Sequence, residues 1–267
     1  MPSVKLILSL FIIYAACSTI CDRCCLINRH ELPRYDLIRN NSHSSQPIIS
    51  RKVVSDVNAC KEFAASKKAL AFNFVSTRNR TGGREKSCQA LQCPEDHNMT
   101  TLVPAANCEY YSMYPVLSPP VNGTVECIPK AGIFVLSAES LNYTEARSFC
   151  QKQNASLAHV ISEERTEGLG KFVSQNPPRF VGLSSGENRQ RIWRNEFGEP
   201  LSCFDYRAWG EGEPSHSKGC VALVNPPAKS SPPFWKVMPC YLSLPFICEI
   251  SPLSRESSKR RHNSSHA

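Results

Sequence analysis

The chain has 267 residues, of which 14 are cysteine, 41% are hydrophobic and 20% are charged, and its formal net charge is +8 at pH 7. That length accommodates about two domains, since a domain commonly has roughly 100 to 200 residues. The ordinary apolar and charged fractions argue against a wholly disordered chain, a collagen repeat and a protein that crosses a membrane many times. The modest positive charge permits acidic partners without requiring them.

The first 18 residues have the pattern of a secretory signal peptide. Lys5 gives a basic start, residues 6–16 form an apolar run, and Ala16 and Ser18 stand where a signal peptidase prefers small residues. The alternatives are a membrane anchor or a buried helix, but the run is shorter than the roughly 20 residues that span a bilayer. We therefore predict a secreted, extracellular protein with no transmembrane span, in a compartment that favours disulfides.

Several Asn-x-Ser/Thr sequons agree with this compartment, because such sites are glycosylated on the surface of secreted proteins. The predicted N-glycosylation sites are Asn40, Asn79, Asn98, Asn122, Asn142, Asn154 and Asn263. These asparagines are expected to be exposed, and the protein is expected to be a glycoprotein.

Changes in composition divide the chain into modules. Pro and Ser cluster near residues 113–120, as in interdomain linkers. We predict a cysteine-rich module over residues 19–115, a linker over 116–126, a second module over 127–250 and a disordered basic tail over 251–267. We interpret the tail as a solvated terminus; dibasic processing and attachment to anionic matrix polysaccharide are the alternatives.

The cysteines divide unevenly between these modules. If cleavage follows Ser18, Cys17 leaves with the signal peptide, and seven cysteines then precede the linker and six follow it. The six cysteines after the linker can all pair within one disulfide-bonded domain. The seven before it leave one cysteine that is either a free thiol or links two chains as a disulfide-linked dimer. We interpret Cys21, Cys24 and Cys25 as disulfide members, since a redox or zinc site lacks a second ligand pair.

The second module has the pattern of two helices and several short strands. Asn142 and Glu145 form a capping-box pattern before an apolar stripe. Ser162 precedes two acidic residues and predicts the start of a second helix. Short buried strands are predicted at residues 155–161, 180–183, 220–224 and 244–249. Helices followed by short strands, with a long loop region between, indicate an α+β fold.

Several motifs of this module occur in a characteristic order. They are Glu-Ala-Arg-Ser-Phe-Cys at 145–150, Phe-Val-Gly-Leu at 180–183, Trp193, Trp-Gly-Glu-Gly-Glu-Pro at 209–214, Cys220, Trp235, Cys240 and Pro-Phe-Ile-Cys-Glu at 245–249. Together they resemble the C-type lectin-like domain over about residues 127–250. The resemblance implies a C-type lectin-like fold with disulfides Cys150–Cys248 and Cys220–Cys240, which leaves Cys203 as a candidate partner for Cys127.

The resemblance also bears on calcium. In sugar-binding members the ion is held by a Glu-Pro-Asn or Gln-Pro-Asp loop, a later Glu, and Asn-Asp after the last tryptophan. Here the loop reads Glu-Pro-Ser at 213–215, the later Glu is missing and Lys218 stands near its place. Lys236 and Val237 follow Trp235 in place of Asn-Asp. Calcium takes six to eight oxygen ligands, and only Glu213 remains as a good one. We predict no calcium-dependent sugar binding, no metal site and no cofactor.

The long loop still offers side chains that could bind a ligand. The candidates are Trp209, Glu213, Ser215, Lys218, Tyr206 and Arg207. Aromatic rings stack on sugars or anchor protein interfaces, and arginine makes bidentate contacts. Alternatively, Trp193, Trp209 and Trp235 are core residues that fix the loop.

The first module has a helical pattern over residues 57–68, with Cys60 on its apolar face. A strand with Ala-Phe-Asn follows at 69–75, and two short cysteine-containing strands are predicted at 88–93 and 108–111. This order is similar to PAN/apple-like domains, small extracellular α+β binding modules. We assign no cysteine pairs here.

These observations predict a secreted glycoprotein that binds carbohydrate or matrix polymer without calcium, in adhesion or host defence. The alternatives are a protein-binding module that acts as ligand or accessory of a receptor, and a structural matrix component. The expected partner is a glycan or an extracellular protein, and not a nucleic acid. No H-E-x-x-H or Walker motif is present in the sequence, and we do not expect an enzyme.

Overall fold

The computed structural model describes residues 33–78, 83–116, 122–173, 177–186, 192–226 and 231–253. The predicted signal peptide, the cysteines at 21–25, the sequons at Asn79 and Asn263 and most of the basic tail lie outside these residues. Within the described residues, no helix is long and apolar enough to cross a membrane.

The first domain is an antiparallel sheet with one helix on its face. Its elements are β1 (Asp36–Ser44), β2 (Ile48–Val53), α1 (Val57–Ser66), β3 (Ala71–Arg78), β4 (Arg84–Leu91) and β5 (Leu102–Ser112), with strand order β1-β5-β3-β4-β2. The Asp56 side chain caps α1 by accepting from two backbone N–H groups. The Cys60–Cys88 disulfide ties α1 to β4, and the Phe72 ring stacks on Tyr111 with centroids 4.8 Å apart.

The second domain contains two four-stranded antiparallel sheets and two helices. Its elements are β6 (Gly123–Ile128), β7 (Gly132–Ser137), α2 (Tyr143–Lys152), β8 (Ala155–Leu157), α3 (Glu163–Gly170), β9 (Arg179–Ser185), β10 (Arg194–Asn195), β11 (Gly219–Val224), β12 (Phe234–Met238) and β13 (Ile247–Ile250). The strand orders are β6-β7-β13-β8 and β10-β9-β11-β12. A bridge between Phe180 and Phe246 joins the two sheets, and both side chains are fully buried.

The helix starts agree with the capping patterns. In α2 the Asn142 side chain accepts from the Glu145 N–H and the Glu145 side chain accepts from the Asn142 N–H, which is the predicted capping box. Ser162 caps α3 by accepting from the Arg165 N–H at 3.4 Å. The strand ends differ more: the strand predicted at 69–75 lies at 71–78, and only residues 155–157 of the predicted strand 155–161 belong to a strand.

Four disulfides have both cysteines among the described residues. Cys150–Cys248 and Cys220–Cys240 are the two pairs that the family resemblance implied. The suggested Cys127–Cys203 pair is wrong, because Cys127 is bonded to Cys93 with Cα atoms 6.1 Å apart, an ordinary separation for a disulfide. Cys203 is disulfide-bonded, so neither cysteine is free.

The Cys93–Cys127 bond connects the two domains. Lys68 of the first domain also forms an ion pair with Glu164 at 3.0 Å, and the Leu253 N–H donates to the Met113 carbonyl at 2.7 Å. Leu70, Tyr114 and Ile133 form a small shared apolar cluster. Strand β6 begins within the range predicted as a linker, so the chain joins the second domain before Cys127.

Cys108, in β5, is the free cysteine of the described residues, and its side chain is buried. Burial raises the pKa of its thiol to about 11. A buried free thiol at Cys108 is thus one explanation for the odd number of cysteines that precede the linker. A bond from Cys108 to a second chain would require β5 to open.

Candidate functional site

The loop between β10 and β11 is anchored by a cluster of aromatic rings. Trp209 lies edge-on to Trp193 and Trp235, with centroids 5.1 and 5.3 Å away. Tyr206 meets Trp235 at 5.7 Å, and Trp235 is fully buried. Trp193, Trp209 and Tyr206 are partly buried against this core, so these rings fix the loop and Trp209 presents only part of its surface to a ligand.

Two of the predicted ligand candidates are occupied by contacts within the protein. The Arg207 guanidinium donates to the carbonyl oxygens of Phe204, Tyr206 and Leu201 at 2.5, 2.6 and 2.7 Å. The Tyr206 hydroxyl hydrogen-bonds with Thr166, and desolvation raises its pKa. Arg207 therefore holds the turn over residues 201–206 and has little capacity left for a bidentate ligand contact.

Glu213 is the one potential calcium ligand that the sequence left in this loop, and its carboxylate is bound by the protein. Its Oε2 atom accepts from the Ser215 N–H at 2.8 Å, the Ser215 hydroxyl at 3.0 Å and the Val237 N–H at 3.1 Å. The peptide bond from Glu213 to Pro214 is cis. The carboxylate thus ties the loop to β12.

Two exposed lysines are near Glu213 or its partner Val237 in sequence. Lys236 precedes Val237 on β12, where it is opposite Ala222 of β11 and exposed. Lys218 is also exposed, just before β11 begins. Within the described ranges, no group of three or more His, Cys, Asp and Glu side chains is placed to hold a metal ion.

A second polar group beside the loop was not anticipated from the sequence. The Glu196 side chain is 5% exposed and accepts from Arg147 at 2.9 Å and from the Tyr143 hydroxyl at 3.0 Å. Its pKa is raised, chiefly by desolvation. The next residue, Phe197, is 66% exposed and lies edge-on to His159, with centroids 4.6 Å apart. The motif pattern contained no signal for these long-range contacts.

The described sequons differ in accessibility. Asn40, Asn98, Asn122 and Asn154 are exposed, and Asn142 is half-buried. The Asn142 side-chain oxygen caps α2, which leaves its amide nitrogen as the attachment atom. Glycosylation at all of these sites stays a prediction.

The comparisons with known proteins concern the second domain. Residues 139–250 match the sequence profile of the lectin C-type domain. The C-type mannose receptor 2 of Rattus norvegicus is 37% identical over 90 residues, which is 33% of this chain and 6% of the receptor. A C-type lectin mannose-binding isoform of Notechis scutatus scutatus is 27% identical over 129 residues, which is 46% of this chain and 79% of that lectin. This chain thus spans only a small part of the receptors that it matches.

One similar solved structure is the mouse scavenger receptor C-type lectin carbohydrate-recognition domain, which is 22% identical in sequence. The match covers 51% of this chain and 98% of that chain, with a TM-score of 0.42. The Ca²⁺-independent C-type lectin SPL-2 from Saxidomus purpuratus matches at 25% identity, 44% of this chain, 85% of that chain and a TM-score of 0.38. The profile match coincides with the two-helix α+β domain and its two expected disulfides. Residues 139–250 of this chain therefore form a C-type lectin-like domain.

Proposed function

We propose that this is a secreted, N-glycosylated protein whose C-type lectin-like domain binds carbohydrate or matrix polymer without calcium, in adhesion or host defence. One observation carries the calcium-independent part. The Glu213 carboxylate, which would be needed for the ion, instead accepts three hydrogen bonds from Ser215 and Val237. Carbohydrate as the ligand class is supported by the profile match and by the mannose-receptor and mannose-binding relatives.

The binding surface that we assign to this activity is the exposed side of the loop. Lys218 and Lys236 offer ammonium donors to sugar hydroxyls or acidic groups. The exposed Ser215 donates its hydroxyl proton to Glu213, so its oxygen keeps lone pairs that can accept from a ligand. The uncovered part of Trp209 supplies a ring surface. Recognition is then by hydrogen bonding and stacking.

A glycan array with the full secreted protein, run with calcium and with EDTA, tests this function. We expect the same glycans to bind in both conditions. A K218Q/K236Q variant should bind more weakly, whereas K152Q/K171Q, which removes the same charge from exposed sites near α2 and α3, should bind as the original protein does. Binding that EDTA abolishes, or an array without any bound glycan, would contradict the proposal.

Protein binding is the second candidate function, because two large aromatic side chains are highly exposed to solvent. Tyr241 is 79% exposed and Phe197 is 66% exposed, and aromatic side chains are common anchors at protein interfaces. If this candidate is correct, Tyr241→Ala and Phe197→Ala weaken a receptor complex, and the glycan array remains empty.

We also assign the first domain as PAN/apple-like. The supporting feature, among the described residues, is a helix held across an antiparallel five-stranded sheet by Cys60–Cys88. An experimental structure of residues 19–115 in the intact protein, compared with known PAN/apple domains, tests this assignment.

A further inference from the structure

One face of the sheet in the first domain carries an accumulation of positive charge. The face is identified by Cys88, whose side chain must point toward α1 because it is bonded to Cys60. Alternate residues of a strand share a face, so Lys86 and Arg84 of β4 point to the same side as Cys88. This places two cations in a row beside α1.

The neighbouring strands add two more cations to this face. Residues directly opposite each other in antiparallel strands point to the same side. Lys52 of β2 is opposite Cys88, and Arg78 of β3 is opposite Arg84. The row therefore runs from the Arg78–Arg84 pair to Lys52, about 14 Å along the strands at roughly 3.4 Å per residue.

The helix contributes a fifth cation. The Lys67 ammonium lies 5.8 Å from the centroid of the Phe63 ring, and the Lys52 ammonium lies 5.7 Å from the same centroid. Two ammonium groups thus share one aromatic ring, which positions them near each other by cation–π attraction. We call Lys52, Lys67, Arg78, Arg84 and Lys86 the basic face.

The basic face carries a net positive charge. None of its five side chains forms an ion pair with another described residue. Two carboxylates belong to the helix segment: the exposed Glu62, and Asp56, whose lowered pKa reflects chiefly the Ala59 N–H with a smaller contribution from Lys86. A third, Glu109 of β5, lies on the same face because it is opposite Phe74, which is opposite Cys88, and it accepts from the Tyr111 hydroxyl at 2.7 Å. The Lys86 ammonium donates to the Ser55 carbonyl at 3.0 Å. The Glu85 side chain points to the opposite face, since it alternates with Arg84 and Lys86. The five cations of the basic face thus outnumber these three carboxylates.

The Arg78–Arg84 pair is the strongest indication of a ligand. Like charges directly opposite each other on neighbouring strands destabilise a sheet. Both guanidinium groups are exposed, and the planar fork of arginine binds oxyanions through two hydrogen bonds. An anionic group between the two side chains would turn the repulsion into a bidentate contact on each side.

We propose that the basic face binds a sulfated polysaccharide. A row of cations about 14 Å long suits an extended polymer whose fixed negative charges recur along its length. The face presents no exposed aromatic ring for stacking nucleic-acid bases, because Phe63 is half-buried and faces two lysines. This site lies in the first domain, and it does not depend on carbohydrate binding by the C-type lectin-like domain.

Affinity for immobilised heparin, measured with the full protein at about 0.1 M ionic strength, tests the proposal. The test variant is K52Q/R78Q/R84Q, and the matched control is K130Q/K152Q/K171Q, which removes the same charge from exposed positions of the second domain. Because each exposed charge contact is modest, we expect the test variant to lose roughly tenfold in affinity. The control should lose less than about threefold, with unchanged thermal unfolding of both proteins.

A protein truncated after Leu253 separates the basic face from the basic tail, and it should retain most of the heparin affinity. Equal losses in the test and control variants would overturn the proposal, as would loss of heparin binding on truncation alone. Equally tight binding to single-stranded DNA or to phosphatidylserine vesicles would also overturn it, because the face would then respond to charge and not to sulfated polysaccharide.

Discussion

Replacing Glu213 distinguishes a structural carboxylate from a calcium ligand. In Glu213→Ala, the Val237 N–H and the Ser215 N–H both lose their acceptor. Leaving a buried donor unsatisfied costs about 1–3 kcal/mol, and the lower half of that range applies because Glu213 is only half-buried. For a unit of the size of both domains together, roughly 2–4 °C per kcal/mol predicts a fall in melting temperature of about 2–8 °C.

Thermal unfolding should be followed by circular dichroism, with millimolar calcium and again with EDTA. We expect one melting temperature for the original protein in both solutions and the same lowered value for Glu213→Ala in both. Glu213→Gln, which retains an uncharged acceptor, should fall between them. The matched control is Glu211→Ala, since Glu211 is exposed and makes no described hydrogen bond.

The reasoning fails if calcium raises the melting temperature of the original protein and Glu213→Ala removes that increase. A ligand that binds only the folded state stabilises it by RT ln(1 + [L]/Kd), so a site filled a hundredfold above Kd would add about 2.7 kcal/mol. That increase is large enough to measure beside the effect of the mutation.

Further predictions concern buried groups. Desolvation lowers the pKa of His159, so the unfolded state binds a proton more readily than the folded state does. The free energy of unfolding should therefore decline as pH falls below about 6.5, and His159→Asn should flatten that decline in denaturant titrations. Cys108 should resist iodoacetamide at pH 8 until the protein unfolds, as judged by peptide mapping, and ready labelling of the native protein would contradict its burial. A Cβ on Gly168 would lie 2.4 Å from Ile128, so Gly168→Ala should cost about 1–3 kcal/mol in urea unfolding while Gly186→Ala, with open space, changes little.

Local signals in the sequence predicted the starts of the helices well. The Asn142 and Glu145 capping box depends on residues three positions apart, and both of its hydrogen bonds are present. The same holds for Ser162 at the start of α3. Strand ends were less accurate, because pairing with a distant partner decides how far a strand continues; β5, for example, extends from residue 102, six residues before the predicted start.

The candidate site could be predicted in part only. The pattern identified Glu213 as the remaining carboxylate, but its partner outside the loop is the backbone N–H of Val237, a group that every non-proline residue has. In the same way, nothing in the residue type of Arg207 distinguishes a ligand contact from the three carbonyl oxygens that it binds. The Cys93–Cys127 pair was missed because counting cysteines on each side of a linker assumes that no bond crosses it.

The Cys93–Cys127 bond bears on how tightly the two proposed sites could hold one polymer. The bond, with the Lys68–Glu164 ion pair beside it, limits how far the basic face and the loop around Glu213 can move relative to each other. Once one site is occupied, the second sees an effective concentration that depends on the stiffness of the polymer and not on a protein linker. Avidity should therefore be selective for chains whose spacing of sulfated and neutral segments matches the separation of the two sites.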